Sequence, residues 1–378
     1  MNFPQTDSHT SNNPVRAGLI GCGAISGEYL KRAALFPILR IVACADLNPQ
    51  AAKAKAWEYG IPRVRSVEEL LADPEIELIL NLTIPNAHAP ISLAALSAGK
   101  HVYVEKPLAI SRAEGVAVMA KAKEAGKLVG CAPDTFMGSG LQTARRAIDA
   151  GRIGRPVAFT AFMMCPGHES WHPSPEFYYQ PGGGPMFDMG PYYLTALLNL
   201  FGSVRRLCGM ASTAIPTRTI TSAPKFGKSI EVQTPDHVTG LMEFENGAVG
   251  TIVQSFATHH APSGTISVFG TEGTLLVPDP NRFAGPVHFR GKADKEWIEL
   301  PPVFTHDYGR SVGLAEMACA LREGRPFRAS GEQGMAVLDL MQGFLDSSSA
   351  GIFYQPQTPY QRPAAMPVDV EFGVLALD

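Results

Sequence analysis

Short, continuous apolar runs alternate with stretches of helical periodicity through the first third of the chain. Residues 17–20, 41–45, 76–82, 101–104 and 128–131 read as buried strands. Helices are expected over 25–36, 49–59, 66–71, 88–97 and 111–126. Ser66 with Glu69, and Ser111 with Glu114, are spaced as capping boxes, and Gly99 and Gly126 stand where helices stop. Apolar strands separated by helices imply a parallel sheet covered on both faces.

The rhythm then changes. Strands are expected at 156–164, 204–211, 237–244, 248–256, 265–268, 274–277 and 287–289, with Asn246-Gly247 as a hairpin turn. A long polar and aromatic loop fills 165–184, and helices are expected near 191–200, 311–321 and 332–347. The expected class is α/β: an N-terminal Rossmann-type doubly wound parallel sheet and a C-terminal α+β domain with a large, mostly antiparallel sheet. The boundary falls near 132–137. This divides the chain into a leader (1–14), a dinucleotide-binding domain (15–135) and a substrate-binding and oligomerisation domain (136–378).

Composition narrows the function. The 378 residues are 45% hydrophobic and 18% charged, as in an ordinary globular protein of about two domains. A net charge of -3 with both signs scattered offers no surface for nucleic acid or an anionic membrane. No apolar run is long enough to cross a bilayer, and the polar N-terminus lacks the apolar segment of a secretory signal. The six cysteines form no C-x-x-C pair, which argues against a zinc site or a disulfide framework and suggests a reducing cytoplasm.

Gly21-Cys22-Gly23-Ala24-Ile25-Ser26 fits G-x-G-x-x-G with serine in the last place. It follows a strand and opens a helix. There the first glycine allows a tight turn, the second lets backbone approach a pyrophosphate, and Ser26 is small enough for close packing. Asp46 lies 20 residues after Ser26, where a carboxylate can accept ribose hydroxyls and repel a 2′-phosphate. With no arginine in 47–53, NAD is expected and NADP is disfavoured. The bland alternative is a tight turn with a capping aspartate.

Glu105-Lys106-Pro107 after the fourth strand makes the pattern specific. With Gly21–Ser26, Asp46, Ile84-Pro85-Asn86 and His88, Gly182-Gly183-Gly184 with Asp188, and Phe269-Gly270-Thr271-Glu272-Gly273, the chain resembles the glucose-fructose oxidoreductase / inositol dehydrogenase (Gfo/Idh/MocA) family. The resemblance implies that Lys106 acts on the substrate hydroxyl. It implies that Ala24, Ile25, Leu47, Thr83–Asn86, His88 and Glu105 join the glycines and Asp46 around the cofactor. Many relatives carry D-x-x-x-H; here Asp188 is followed by Tyr192. This resembles the branch with glucose-fructose oxidoreductase and the dihydrodiol dehydrogenases, and implies a tyrosine proton carrier. Asp188 as the base, or Tyr193 as the tyrosine facing the site, remains an alternative.

The loop containing His168, Glu169, Trp171 and His172, then Phe177-Tyr178-Tyr179, suits a polyol: rings stack on sugar faces, and His and Glu bind hydroxyls. A metal held by these side chains is the weaker reading, and none is expected. Asp134 is a further substrate-binding candidate, in a segment lacking the arginine that an anionic substrate would want. The leading function is an NAD-dependent dehydrogenase of a sugar, sugar derivative or cyclitol, working as a homodimer or homotetramer. The alternatives are a non-catalytic NAD-binding regulator and an NAD-assisted glycosidase.

Overall fold

A computed structural model describes residues 13–261, 265–368 and 370–375. Strands β1 (Val15–Ile20), β2 (Leu39–Ala45), β3 (Leu78–Asn81), β4 (His101–Val104) and β5 (Val129–Cys131) form a sheet of order β2-β1-β3-β4-β5. All neighbours in it are parallel. The helices between them are α1 (Ala24–Ala33), α2 (Pro49–Tyr59), α3 (Val67–Ala72), α4 (Pro85–Ser97) and α5 (Arg112–Ala125). Ser66 and Glu69 close the capping box expected from their spacing, and Ser111 caps α5 through the Glu114 N–H. β1 has β2 on one side and β3 on the other, so the strand order reverses between β1 and β3. In open parallel sheets the crevice at such a reversal, beyond the carboxyl ends of the strands, receives ligands.

Helix α6 (Ser139–Asp149) leads into β6 (Pro156–Met164); a long loop, α7 (Gly184–Asp188) and α8 (Gly190–Phe201) follow. The later strands are β7 (Val204–Ser212), β8 (Thr217–Thr219), β9 (Ser229–Glu231), β10 (His237–Phe244), β11 (Val249–Ser255), β12 (Thr265–Gly270), β13 (Gly273–Val277), β14 (Val287–Gly291) and β15 (Ile298–Leu300). Eight strands, β6 among them, make a sheet of order β15-β14-β13-β12-β6-β11-β10-β7, while β8 and β9 pair by themselves. In the large sheet only β6 and β11 pair in parallel, so it is mixed but mostly antiparallel. Gly247, at φ 84°, makes the β10–β11 turn.

Helices α9 (Val312–Glu323) and α10 (Gly331–Ala350) return to the first domain. The Cys131 N–H donates to the Ala329 carbonyl, and a Cβ on Gly334 would lie 2.6 Å from that of Cys131. Arg112 of α5 pairs with Asp339 and Asp346 of α10. The expected boundary near 132–137 thus marks where the chain leaves the first sheet, but the segment counted with the second domain completes the first one's packing. α10 also serves the large sheet: Gly209 and Gly240, paired across β7 and β10, leave room for the Phe344 ring. No helix among the described residues is long and apolar enough to cross a membrane.

Candidate active site

Gly21 follows β1 at φ 98°, a left-handed conformation, and a Cβ there would lie 2.5 Å from the Leu82 carbonyl oxygen. Only glycine satisfies both demands. Gly23 differs: a Cβ on it would meet nothing within 4 Å, so open space lies before α1. No side chain caps α1 and no acid lies in its first turn, so its N-terminal N–H groups and partial positive charge stay available to an anion. Ser26 is fully buried and donates to the Gly23 carbonyl at 2.7 Å.

Asp46 braces this turn. Its Oδ2 accepts the Cys22 N–H at 2.7 Å and its Oδ1 the Asn48 N–H at 2.7 Å. A carboxylate has about four acceptor sites, so capacity for two hydroxyls remains. Leu47 is fully exposed beside it. Across the crevice Thr83 is anchored on Asn81, Ile84 precedes α4, and Pro85 and Asn86 form its first turn. These residues fit a dinucleotide: Gly21, Gly23, Ala24 and Ile25 would face its pyrophosphate and Asp46 its adenosine ribose.

Lys106 stands just beyond β4. Its Nζ donates to the Asp188 backbone carbonyl at 2.7 Å and to Asp188 Oδ1 at 2.8 Å. Asp188 closes α7 and Tyr192 lies in the first turn of α8, so the two are joined by a bend at Met189 rather than by one helix. Both still meet the lysine, whose Nζ lies 5.2 Å from the centre of the Tyr192 ring. Tyr193 is fully buried, with its hydroxyl directed at the Phe162 carbonyl. On the far side of Asp188, His168 Nε2 lies 3.3 Å from Oδ2.

Burial alone would raise Asp188, but Lys106 and His168 hold it well below the ordinary carboxylate range. Burial would lower Lys106, but Asp188, Tyr192 and Glu105 outweigh it and keep the amine cationic. Burial pushes Tyr192 above the usual phenol range, against the opposing pull of Lys106 and Arg310. The site therefore holds a charged lysine, a charged aspartate and a neutral phenol.

Beneath them lies a buried polar layer. Glu105 accepts the Tyr29 hydroxyl at 3.0 Å and the Lys106 N–H at 2.7 Å. His88, fully buried, places Nδ1 2.6 Å from the Pro107 carbonyl and Nε2 3.0 Å from that of Thr83. It clamps the two loops that frame the crevice, and burial lowers its pKa. Asp134, a substrate candidate by sequence, is fully buried and accepts the Ser311 and Gly313 N–H groups at 3.0 and 3.1 Å. It holds the start of α9 rather than lining an open surface.

Arg310 is a site residue that no motif in the sequence marks. Its Nη2 donates to the Tyr192 hydroxyl at 3.1 Å and to Asn281 Oδ1 at 3.3 Å. The one sequence signal near it is slight: Asp307-Tyr308-Gly309-Arg310-Ser311 lies directly before an apolar helix.

The aromatic loop divides. The His168 ring packs 4.1 Å from Tyr178, 4.5 Å from Phe256 and 5.2 Å from Trp171, centre to centre. Trp171 is 60% exposed, and His172 accepts the Ser174 N–H through Nδ1. Glu169 points away: Arg218 at 2.7 Å and Tyr179 at 2.8 Å hold its carboxylate. Among the described residues no group of three His, Cys, Asp or Glu is arranged to hold a metal.

Residues 15–132 match the family model described as an oxidoreductase family with an NAD-binding Rossmann fold, and residues 141–276 match the Gfo/Idh/MocA C-terminal domain. The chain belongs to the Gfo/Idh/MocA family. Among family members, 1,5-anhydro-D-fructose reductase of Ensifer adhaerens is 29% identical over 328 residues, covering 85% of this chain and 92% of its own. The scyllo-inositol 2-dehydrogenase (NAD(+)) of Bacillus subtilis is 26% identical over 70% of this chain and 73% of its own. Levoglucosan dehydrogenase in complex with NADH superposes with a TM-score of 0.81 over 92% of this chain and 100% of its own, at 22% identity, and so shares the Gfo/Idh/MocA fold.

Proposed function

We propose that this protein is an NAD-dependent dehydrogenase acting on a CH–OH group of a sugar, sugar derivative or cyclitol, with Lys106 and Tyr192 as its catalytic residues. The observation that carries this reading is that Lys106, Asp188 and Tyr192 converge at the carboxyl end of β4, beside a helix N-terminus and carboxylate suited to a dinucleotide. Bound NAD supplies the hydride-accepting nicotinamide.

The Lys106 ammonium, held by Asp188, donates to the substrate oxygen and stabilises negative charge developing there. Tyr192 carries the hydroxyl proton. As a neutral phenol it is ready to protonate a carbonyl oxygen in reduction, while oxidation requires its ionised form, so oxidation gains with rising pH and reduction loses. Trp171 and Tyr178 offer apolar faces to a ring, and His168 and His172 offer hydrogen bonds to its hydroxyls. The relatives named above act on a cyclic anhydro sugar or an inositol, which agrees with that lining. Retention of lysine, aspartate and tyrosine together supports catalysis over a purely regulatory role. Reduction of NAD by a panel of aldoses, inositols and anhydro sugars, with Lys106→Ala as the control, tests the reading.

The assembly is a homodimer or homotetramer formed through the face of the large sheet opposite α10. Met210, Thr239, Val253 and Phe162 make one outward row across four strands, and Cys208, Leu241, Thr251 and Thr160 make the next. Met210 is 76% and Leu241 47% exposed in the single chain. Apolar side chains so arrayed suit burial against a second copy. All six cysteines are free thiols, which suits the cytoplasm.

A further inference from the structure

Tyr192 receives a positive charge from two directions. Lys106 lies over its ring, and Arg310 reaches its hydroxyl from the segment before α9. We propose that Arg310 is the positioning residue for Tyr192: its guanidinium fixes the phenol oxygen toward the substrate and holds a permanent cation against it as the proton moves. This deepens the reading of Tyr192 as proton carrier and rests on it.

Three observations support the assignment. The first is the bond itself. Arg310 Nη2 is 3.1 Å from the phenol oxygen, and because a guanidinium only donates, Tyr192 must accept there and its own O–H is left to point elsewhere. The second is that the guanidinium keeps its hydrogen bonds for the phenol and an amide, while its ion pair with Glu105 is a longer contact. Glu105 Oε1 is 3.8 Å from Arg310 Nη1, beyond hydrogen-bond reach, while Nη1 is buried without a hydrogen-bond partner. The other close partner of the guanidinium is the neutral Asn281 amide, 3.3 Å away.

The third observation is the support built around the arginine. Ser311, a buried non-glycine residue at φ 94°, bends the chain directly after Arg310. That left-handed conformation is held by three bonds: the Ser311 N–H to Asp134 Oδ2, the Gly313 N–H to the same oxygen, and the Ser311 hydroxyl to the Tyr29 carbonyl at 3.0 Å. Strained backbone that its surroundings hold in place is a mark of functional sites. Asp134, which its sequence position places at the substrate, thus acts two steps behind it, through Ser311 and Arg310.

Other ionisable groups face the phenol. Lys106 and Glu105 come from the end of β4, Asp188 from the end of α7, and Tyr178 from the aromatic loop; Tyr29 and Asp134 lie around Arg310 itself. Lys106 and Arg310 favour the phenolate, whereas Glu105 and Asp188 oppose it. Removing Arg310 therefore moves ionisation of Tyr192 to higher pH. One nearby cation shifts such a group by about 1–3 pH units.

The test uses full-length protein saturated with NAD and labelled with carbon-13 at the tyrosine ring carbon bearing oxygen. Tyr192 is assigned by its loss in Tyr192→Phe, and ionisation is followed by NMR. Arg310→Gln is expected to raise the Tyr192 titration by about one pH unit or more, and Arg310→Lys to restore most of the shift. If Arg310→Gln does not fold, Asn281→Asp, which sets a carboxylate against the guanidinium, is expected to shift the titration the same way. An unchanged titration in a folded variant overturns the proposal. The catalytic reading fails separately, if Tyr192→Phe retains wild-type turnover of the most active polyol.

Discussion

Lys106 Nζ is bonded to Asp188 twice, at 2.7 Å to its backbone carbonyl and 2.8 Å to its carboxylate. The lysine lies in the segment that matches the NAD-binding Rossmann family and the aspartate in the one that matches the C-terminal domain, so this pair joins the two at the proposed active site. Lys106→Ala should lower turnover by about 10²–10⁴-fold. NAD affinity, read by quenching of intrinsic fluorescence, should change little, because the amine faces Asp188 and Tyr192. Turnover near wild type would remove Lys106 from the chemistry.

Tyr192→Phe keeps the ring that packs on Lys106 and removes only the oxygen that Arg310 holds. It should cut kcat/KM by about 10²–10⁴-fold and abolish the rise of oxidation with pH. Asp188→Asn should act differently. Without its carboxylate, Lys106 loses the partner that keeps it cationic, so a lower amine pKa and a higher KM are expected. If Asp188→Asn removes the pH dependence and Tyr192→Phe does not, Asp188 is the proton carrier.

The adenosine end makes its own prediction. Asp46 uses one lone pair of Oδ2 for the glycine turn and one of Oδ1 for the Asn48 N–H and, among the described residues, forms no ion pair. NAD should bind more tightly than NADP, and Asp46→Ala should weaken NAD and narrow the preference. Fluorescence titration with both cofactors reads this directly; equal or tighter NADP binding would contradict it.

Asp134 offers a test by stability. Burial lifts its carboxyl from the ordinary 3.8 to about 6, with Arg310 and the Gly313 N–H opposing the rise. The folded state then binds more protons than the unfolded one between those values. Asp134 therefore favours folding more at low pH, and that contribution is lost as pH rises through about 6. Asp134→Asn removes this dependence, so the wild type should lose stability relative to the variant between about pH 4 and 6, by about 3 kcal/mol. Urea unfolding of both proteins across that window checks the sign.

The first domain is legible in the sequence because its strands are continuously apolar and its turns carry glycines with unmistakable tasks. Gly21 and Asp46 can be placed by sequence position alone, since their roles depend on backbone at the ends of the adjoining strands. The helix Ser139–Asp149 carries no such signal. Leu141, Ala144, Ala147 and Ile148 recur at helical spacing but make a short stripe of mostly small residues, and nothing in the pattern shows that Gln142 and Arg145 are also buried, by bonds to Phe136 and Asn199. Arg310 is hidden for another reason: it lies 118 residues from Tyr192, and no local pattern announces a contact made by folding. Asp134 sits near the site in sequence, but that position does not reveal which way a carboxylate faces, and this one faces the start of α9.

The large sheet predicts assembly. Leu241→Asp puts a charge on its outward face, in the strand beside the β7 edge, without touching Lys106 or Asp46. Light scattering should show the wild type as a dimer or tetramer and the variant as a smaller species, with the circular dichroism of the fold retained. A monomeric wild type at micromolar concentration would contradict the interface.

The most direct test of the whole account is the appearance of NADH absorbance when purified protein and NAD meet a panel of aldoses, inositols, anhydro sugars and glycosides. The account predicts that at least one cyclic polyol reduces NAD, and that Lys106→Ala and Tyr192→Phe each remove the signal while still binding NAD. Failure of every CH–OH compound to reduce NAD, or full activity in both variants on the best substrate, would contradict it.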